Sequence, residues 1–510
     1  MRALLALALL VLTACAITVR TLEVEPVATE GEKPLVVRSP VKAHLVDGST
    51  VVFADGLTVL DDRVVGDGVR YDLVLKEDQR VTELPLDDIA AMESFSTPVA
   101  KGTTAVASTG ATAGGTVVGL GVLKAIFGSC PTTYSLEGDE PVLEAESFSY
   151  SIAPGFEARD LDRLGISGQS AGRVALEMRN EALETHYINQ VGLLAVEHDP
   201  GYTVMRDGEG RALIVHGLRT PASAIDNSGR DVLAELADVD GQAWETPAAR
   251  LAALGADDFR DSIVLEFPAS PDAGAVAVLR LRNSLLNTVL LYDVMLKGQG
   301  FRALDWLGRD LDGLYARWQL ARWYRDRMGL RISVRRDGRW REVAALDDTG
   351  PIAWQDIAVE LPATDGGVLA LRLDFVSDNW RIDRVALATL AGVGEFERIP
   401  LVAITDAEGA HHREAELALA QRDEDYVVTY PGQQLRLLFD TGAPPPGRER
   451  TFFLDATGYY IEWMRRDWLE ARPDRAFKPG DAALLAALER WREQRDGLRE
   501  RFDATRINLR

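Results

Sequence analysis

Gly168-Gln169-Ser170-Ala171-Gly172 is the short pattern in this chain whose spacing fits covalent catalysis. A serine in G-x-S-x-G becomes a nucleophile when a buried strand leads into a tight turn that presents Oγ and a helix follows. It also needs a histidine and an acid brought to it from later in the chain. Residues 158–167 carry Arg159, Asp160, Asp162 and Arg163 and do not read as a buried strand. Residues 173–179 alternate apolar and polar side chains, the period of a strand rather than of a helix. The repeated strand–helix alternation that carries such a serine is missing as well. The expectation is a glycine-rich loop. Hydrolysis of an ester by Ser170 stays open as the alternative.

Metal chemistry has few candidates. The histidines are His44, His186, His198, His216, His411 and His412, and none stands in a zinc spacing. His411 and His412 are adjacent, and neighbours in an extended chain point apart. The acid-rich runs Asp226-Asn227-Ser228-Gly229-Arg230-Asp231 and Asp238-Val239-Asp240-Gly241 supply oxygens. Calcium needs several of them converging on one point, and neither run matches the twelve-residue calcium loop. Both read as turns, with Asp226 and Asp231 the residues to watch. No phosphate loop or dinucleotide fingerprint is present, so no cofactor is expected. The cysteines, Cys15 and Cys130, are too few for a disulfide framework or a Cys-based zinc site. Cys130 reads as a small buried residue, with a reactive thiol as the alternative.

Cys15 has a different setting. Arg2 precedes an apolar run over residues 3–12, and Leu12-Thr13-Ala14-Cys15 closes it. A basic start, a short apolar helix and small residues before a cleavage point make a secretory signal, too short for a permanent span. The last four residues resemble the lipobox of bacterial lipoproteins. The resemblance implies that residues 1–14 are removed and that Cys15 is acylated and becomes the first residue. With Ala16 rather than Asp next, it further implies sorting to the outer membrane, facing the periplasm. Residues 15–34 read as a tether.

The elements behind these residues are mostly strands. At 510 residues the chain exceeds one core and suggests roughly three domains. A charge of −23 argues against nucleic acid and against a polybasic grip on anionic headgroups. Residues 35–98 hold short strands around Asp47-Gly48, a hairpin signal, and suggest a small barrel-like module or a curled sheet. Residues 101–127 form a glycine-rich apolar segment. Its uncharged part, 103–123, could cross a bilayer, which would place the chain at the inner membrane. It could instead self-associate through Gly110, Gly114, Gly115 and Gly119, or act as a connector. Residues 131–258 read as a β-sandwich. Residues 259–400 loosely resemble jelly rolls of the galactose-binding type, with strands at 276–281 and 285–296 and a helical insertion at 301–328. Residues 401–510 form a β-rich tail ending in an amphipathic helix at 481–503. The fold class is therefore mainly β. The whole resembles envelope lipoproteins with β-sandwich domains, which implies a non-enzymatic binding or assembly role with an envelope protein or glycan as partner. A carbohydrate-binding envelope protein is the other reading beside the esterase.

Overall fold

Alternating side chains build most of this chain. Val174, Leu176 and Met178 are buried along the strand Gly172–Arg179, and Leu369, Leu371, Leu373 and Phe375 along Leu369–Val376. The computed structural model describes residues 34–71, 77–95, 103–104, 131–136, 140–166, 172–255, 258–268, 274–362, 367–407, 409–471 and 476–504. Among these the strands form four open sheets and one closed barrel, a mainly β architecture. Met1–Leu35 form one unit and Val36–Arg510 the other.

The N-terminal strands make an eight-stranded sheet. Val41–Leu45 pairs with Thr50–Phe53 across Asp47-Gly48, and Gly48 supplies the positive φ of +86° that the turn needs. The sheet stays open, so of the two expected forms, a small barrel or a curled sheet, it is not the barrel. Its strand Ile89–Ser94 is flanked by Met464–Arg465, from the far end of the chain. Local alternation finds strands but not a partner some 370 residues away.

A five-stranded and a six-stranded sheet face each other to form a sandwich. Leu176, Val191, Leu193, Leu437, Phe439, Phe452 and Leu454 fill the space between them. Each such side chain contributes about 1.5–3 kcal/mol on burial. The long strands Glu184–His198 and Glu449–Glu462 pair along their whole lengths. Sheet membership therefore runs across the expected divisions at 258 and 400, because strands from 397–462 complete the sandwich begun at 132.

A second layered body follows. The barrel comprises Thr203–Asp207, Ala212–Arg219, Trp380–Gly394, Ala275–Asn283 and Gln355–Glu360. Ala277, Leu279 and Leu281 face a five-stranded sheet and meet Leu371, Leu373 and Phe375, while Val276 and Val278 turn into the barrel with Met205 and Leu213. A strand buried on both faces reads as a continuous apolar run.

Helices depart from the reading in two places. Residues 285–296, expected as strand, are helical: Leu286–Val289 continues into a wider π turn over Leu290–Leu296. This apolar-rich segment, interrupted by Asn287, Thr288 and Asp293, is short enough for helix and strand to be confused. The insertion at 301–328 is two helices, Arg302–Gly308 and Leu314–Met328, divided by a turn at Asp310–Asp312. Its apolar stripe divides with it. Leu304, Leu307 and Leu311 are buried, whereas Leu314, Tyr315 and Trp318 are exposed. The closing helix, Asp481–Ala504, buries Leu484, Leu488, Trp491 and Leu498 as its spacing predicts. Among the described residues no helix is long and apolar enough to cross a membrane. Thr103–Thr104, the start of the uncharged segment, runs parallel beside Tyr426–Val427 as a strand. Gly110, Gly114, Gly115, Gly119 and Cys130 lie outside the described residues.

Candidate functional site

Cys15 and Ser170 also lie outside the described residues. The setting of Ser170 is partly visible. Ala158–Arg163, not expected to be a strand, is one, paired with Glu449–Glu462. Its acids hid it: Asp162 is buried and accepts from Gln355 Nε2 at 2.5 Å. On the other side Gly172 opens a strand in the opposing sheet. The described residues on either side are strands, and Gly172–Arg179 stands where a nucleophile elbow requires a helix.

Asp226 caps a turn. Its Oδ1 accepts from the Ser228 amide (2.9 Å), the Ser228 hydroxyl (2.6 Å) and the Arg230 amide (3.0 Å), while Oδ2 meets Arg230 Nε at 3.2 Å. Burial pushes this carboxyl up, but those donors hold it below its ordinary range. Four donors occupy the lone pairs that calcium would use. Asp231 accepts from the Leu233 amide at 3.0 Å. Asp207 repeats the device, accepting from the Glu209 and Arg211 amides. His411 pairs with Glu416 and His412 with Asp406, so the two rings serve different acids. Among the described residues no three His, Cys, Asp or Glu converge to hold a metal ion.

The densest polar chemistry lies where the N-terminal sheet meets the sandwich. Strand alternation puts Lys42 and His44 on one face of Val41–Leu45, and the register sets Lys42 opposite Glu93. Lys42 Nζ donates to Glu93 Oε1 at 3.1 Å, and His44 Nε2 lies 3.3 Å from the same oxygen. Thr185 Oγ1, from the sandwich, donates to Oε2 at 2.6 Å and accepts from Trp463 Nε1 at 2.9 Å. The indole stacks on the His44 ring at 3.6 Å. Burial pushes Glu93 up, but the Lys42 charge, His44 and Thr185 hold it down at about 2. Burial lowers the Lys42 ammonium, and Glu93 with Tyr187 and Tyr430 more than restores it. Both groups stay charged through the neutral range. They fasten two modules.

One strand pair further on, Glu184 and Glu462 face each other, both buried. Burial pushes Glu462 well above the carboxylate range; Arg465 opposes this and Glu184 adds to it. His186 Nε2 lies 2.5 Å from Glu184, and burial lowers the ring to about 3, so it is neutral at pH 7. Two opposite pH effects follow. Glu93 sits below its ordinary 4.5, so its stabilisation is present above that value and lost as pH falls toward 2. Glu462 keeps its proton in the fold, so its contribution is full below 4.5 and lost as pH climbs through its raised value. Calorimetric Tm against pH checks both. Glu93→Gln flattens the acid limb below pH 4.5, and Glu462→Gln flattens the limb above it.

A cleft between sandwich and barrel is lined by Leu143, Glu144, Arg163, Gly165, Arg280, Trp354 and Asp356. Arg163 and Arg280 both donate to Asp356, at 3.2 and 3.1 Å. Glu144 accepts from the Ser135 hydroxyl and the Gly165 amide, each at 2.6 Å. The cleft volume is about 30 Å³, room for about one water and roughly tenfold below a small-molecule pocket. It too ties bodies together.

Sequence reading missed Lys42, Glu93, Glu184 and Glu462. A signal existed in Tyr459-Tyr460-Ile461-Glu462-Trp463, where one acid interrupts an aromatic run. No family model matches this chain, and comparison with curated proteins gives no match. Among solved structures it shows a likeness to a GH31 alpha-xylosidase from Xanthomonas citri. The identity is 9%, the match covers 84% of this chain and 38% of that one, and the TM-score is 0.13. A likeness of that size carries no argument.

Proposed function

We propose that this chain is a lipid-anchored protein of the bacterial envelope, with β bodies locked together to present a binding or assembly surface. The observation that carries the reading is Leu12-Thr13-Ala14-Cys15 at the end of the apolar run 3–12. Several acyl chains on one cysteine give durable attachment, because each buried methylene contributes about 0.8 kcal/mol. Ala16 favours the outer membrane, facing the periplasm. The buried chemistry supports a scaffold: the Lys42–Glu93 pair and the Arg163–Asp356–Arg280 cluster lie between modules. The expected partner is another envelope protein or a glycan.

Metabolic labelling tests the anchor. Cells given radiolabelled palmitate incorporate it into the native chain, which sediments with membranes. Cys15→Ser loses the label and accumulates as uncleaved precursor. Equal labelling of both chains removes the basis of the proposal.

A further inference from the structure

The helix Leu314–Met328 turns the wrong face outward. At 100° per residue Leu314, Tyr315, Trp318, Arg322 and Arg325 fall within one arc of about 100°. That arc points to solvent: Leu314 is 79% exposed, Tyr315 72% and Trp318 53%. The helix has a buried side as well, where Leu320 and Met328 pack inward. The outward apolar residues are therefore surplus to folding. They form one patch, with the Tyr315 and Trp318 rings 6.1 Å apart and the Arg322 guanidinium 5.2 Å above the Trp318 ring.

Charge says what the patch fits. The helix carries Arg317, Arg322, Arg325 and Arg327 against Asp326 alone, in a chain of net charge −23. The hairpin that follows, Leu330–Arg336 and Arg339–Leu346, adds five arginines against Asp337 and Glu342. Burial lowers the Arg260 guanidinium, Arg331 and Arg327 lower it further, and Asp374 opposes them. With Arg309, Asp310, Asp312, Asp347 and Asp348 included, residues 309–348 hold ten arginines against seven acids, a basic stretch in an acidic chain. Arg322 pairs with Asp326 at 3.5 Å and Arg325 with Asp347 at 3.0 Å. Exposed pairs of this kind are weak, so a phosphate can replace either partner.

We propose that this face docks on an anionic phospholipid surface. Leu314 enters the acyl boundary, Tyr315 and Trp318 sit at headgroup depth with their polar tips in water, and Arg322 and Arg325 meet phosphates. An anionic bilayer repels the acidic remainder of the molecule, so this orientation is the one that brings opposite charges together. Lipid at Cys15, which belongs to the preceding proposal, would hold the patch close enough for a weak contact to persist. The contact itself does not require it.

The test uses the purified mature chain, residues 15–510, carrying Cys15→Ser, so that neither the apolar run 3–12 nor a lipid on residue 15 contributes to binding. Vesicles of phosphatidylcholine alone are compared with vesicles containing phosphatidylglycerol. Sedimentation with the anionic vesicles is expected, with little on the neutral ones, and loss in high salt. Arg322→Glu with Arg325→Glu should weaken it by at least fivefold per arginine. Leu314→Ser, Tyr315→Ser and Trp318→Ser together should abolish it. Quenching by brominated lipid should fall in Trp318→Phe, a change that leaves the surface folded. Equal binding to both vesicles, or an unchanged triple variant, overturns the proposal. So does a concentration-dependent dimer lost in the triple variant without vesicle binding, which assigns the face to a second copy. Failure of acylation would alter only chains retaining Cys15 and leaves this comparison intact.

Discussion

Lys42→Met should destabilise the protein by about 3–5 kcal/mol, because it strands a buried carboxylate. Glu93 is fully buried and keeps its charge by virtue of its neighbours. The methionine fills the stem of the lysine but supplies no donor. His44 and Thr185 remain, yet neither brings a permanent positive charge. The companion measurement is the double variant Lys42→Met with Glu93→Leu. Removing both charges leaves no ion in the seam, so the double variant should recover more than half of the loss. Urea unfolding of the four chains gives the coupling directly. A single variant within 1 kcal/mol of the native chain would show that the seam does not hold the N-terminal sheet to the sandwich.

Asp378→Ala should be as costly and should loosen the closing helix first. Asp378 is fully buried in the turn before Trp380–Gly394, at φ +61°. Its carboxylate accepts from Arg381 Nη1 at 2.7 Å, Trp491 Nε1 at 2.8 Å and the Thr246 amide at 3.3 Å, and Arg495 Nε lies 3.0 Å away. Trp491 and Arg495 belong to Asp481–Ala504, so one side chain pins that helix to the barrel strand. Alanine takes the nearest anion from buried Arg495, which keeps Glu245 at 3.3 Å, so the loss lies toward the lower end of about 3–5 kcal/mol for a broken buried pair. It also suffers the left-handed backbone, about 1–2 kcal/mol that Asp and Asn avoid in part. Asp378→Asn separates the two effects, since it keeps the turn and removes the charge. Hydrogen exchange should show amides of 481–504 opening in both variants before those of Glu184–His198. Uniform exchange across the molecule would contradict this role for Asp378.

The sequence made strands visible wherever one face met a core and the other met water. Asp47-Gly48, Asp337-Gly338 and Asp207–Gly210 all mark hairpins, as their residue types require. Partners were not visible. Nothing local in Glu449–Glu462 says that it lies against Glu184–His198, since any alternating strand could. Helix and strand were confused at Leu285–Leu296 because its β-branched and apolar residues were read as strand, whereas the buried positions Leu286, Val289, Leu290, Met295 and Leu296 recur at helical spacing. Charged residues misled twice. Asp160 and Asp162 masked a strand that satisfies one acid internally, and the net charge masked a basic face that only the helix geometry assembles. Lys42, Glu93 and Thr185 could not be joined by spacing, because Thr185 comes from a different sheet.

Anchoring depends on one sulfur. The most direct measurement is the mass of the N-terminal peptide of the mature chain extracted from membranes. The account predicts a peptide beginning at Cys15, heavier than its sequence by a diacylglyceryl group and an amide-linked fatty acid, with no thiol left to alkylate. A mature chain that begins elsewhere, or that carries Cys15 as a free, alkylatable thiol, would contradict it.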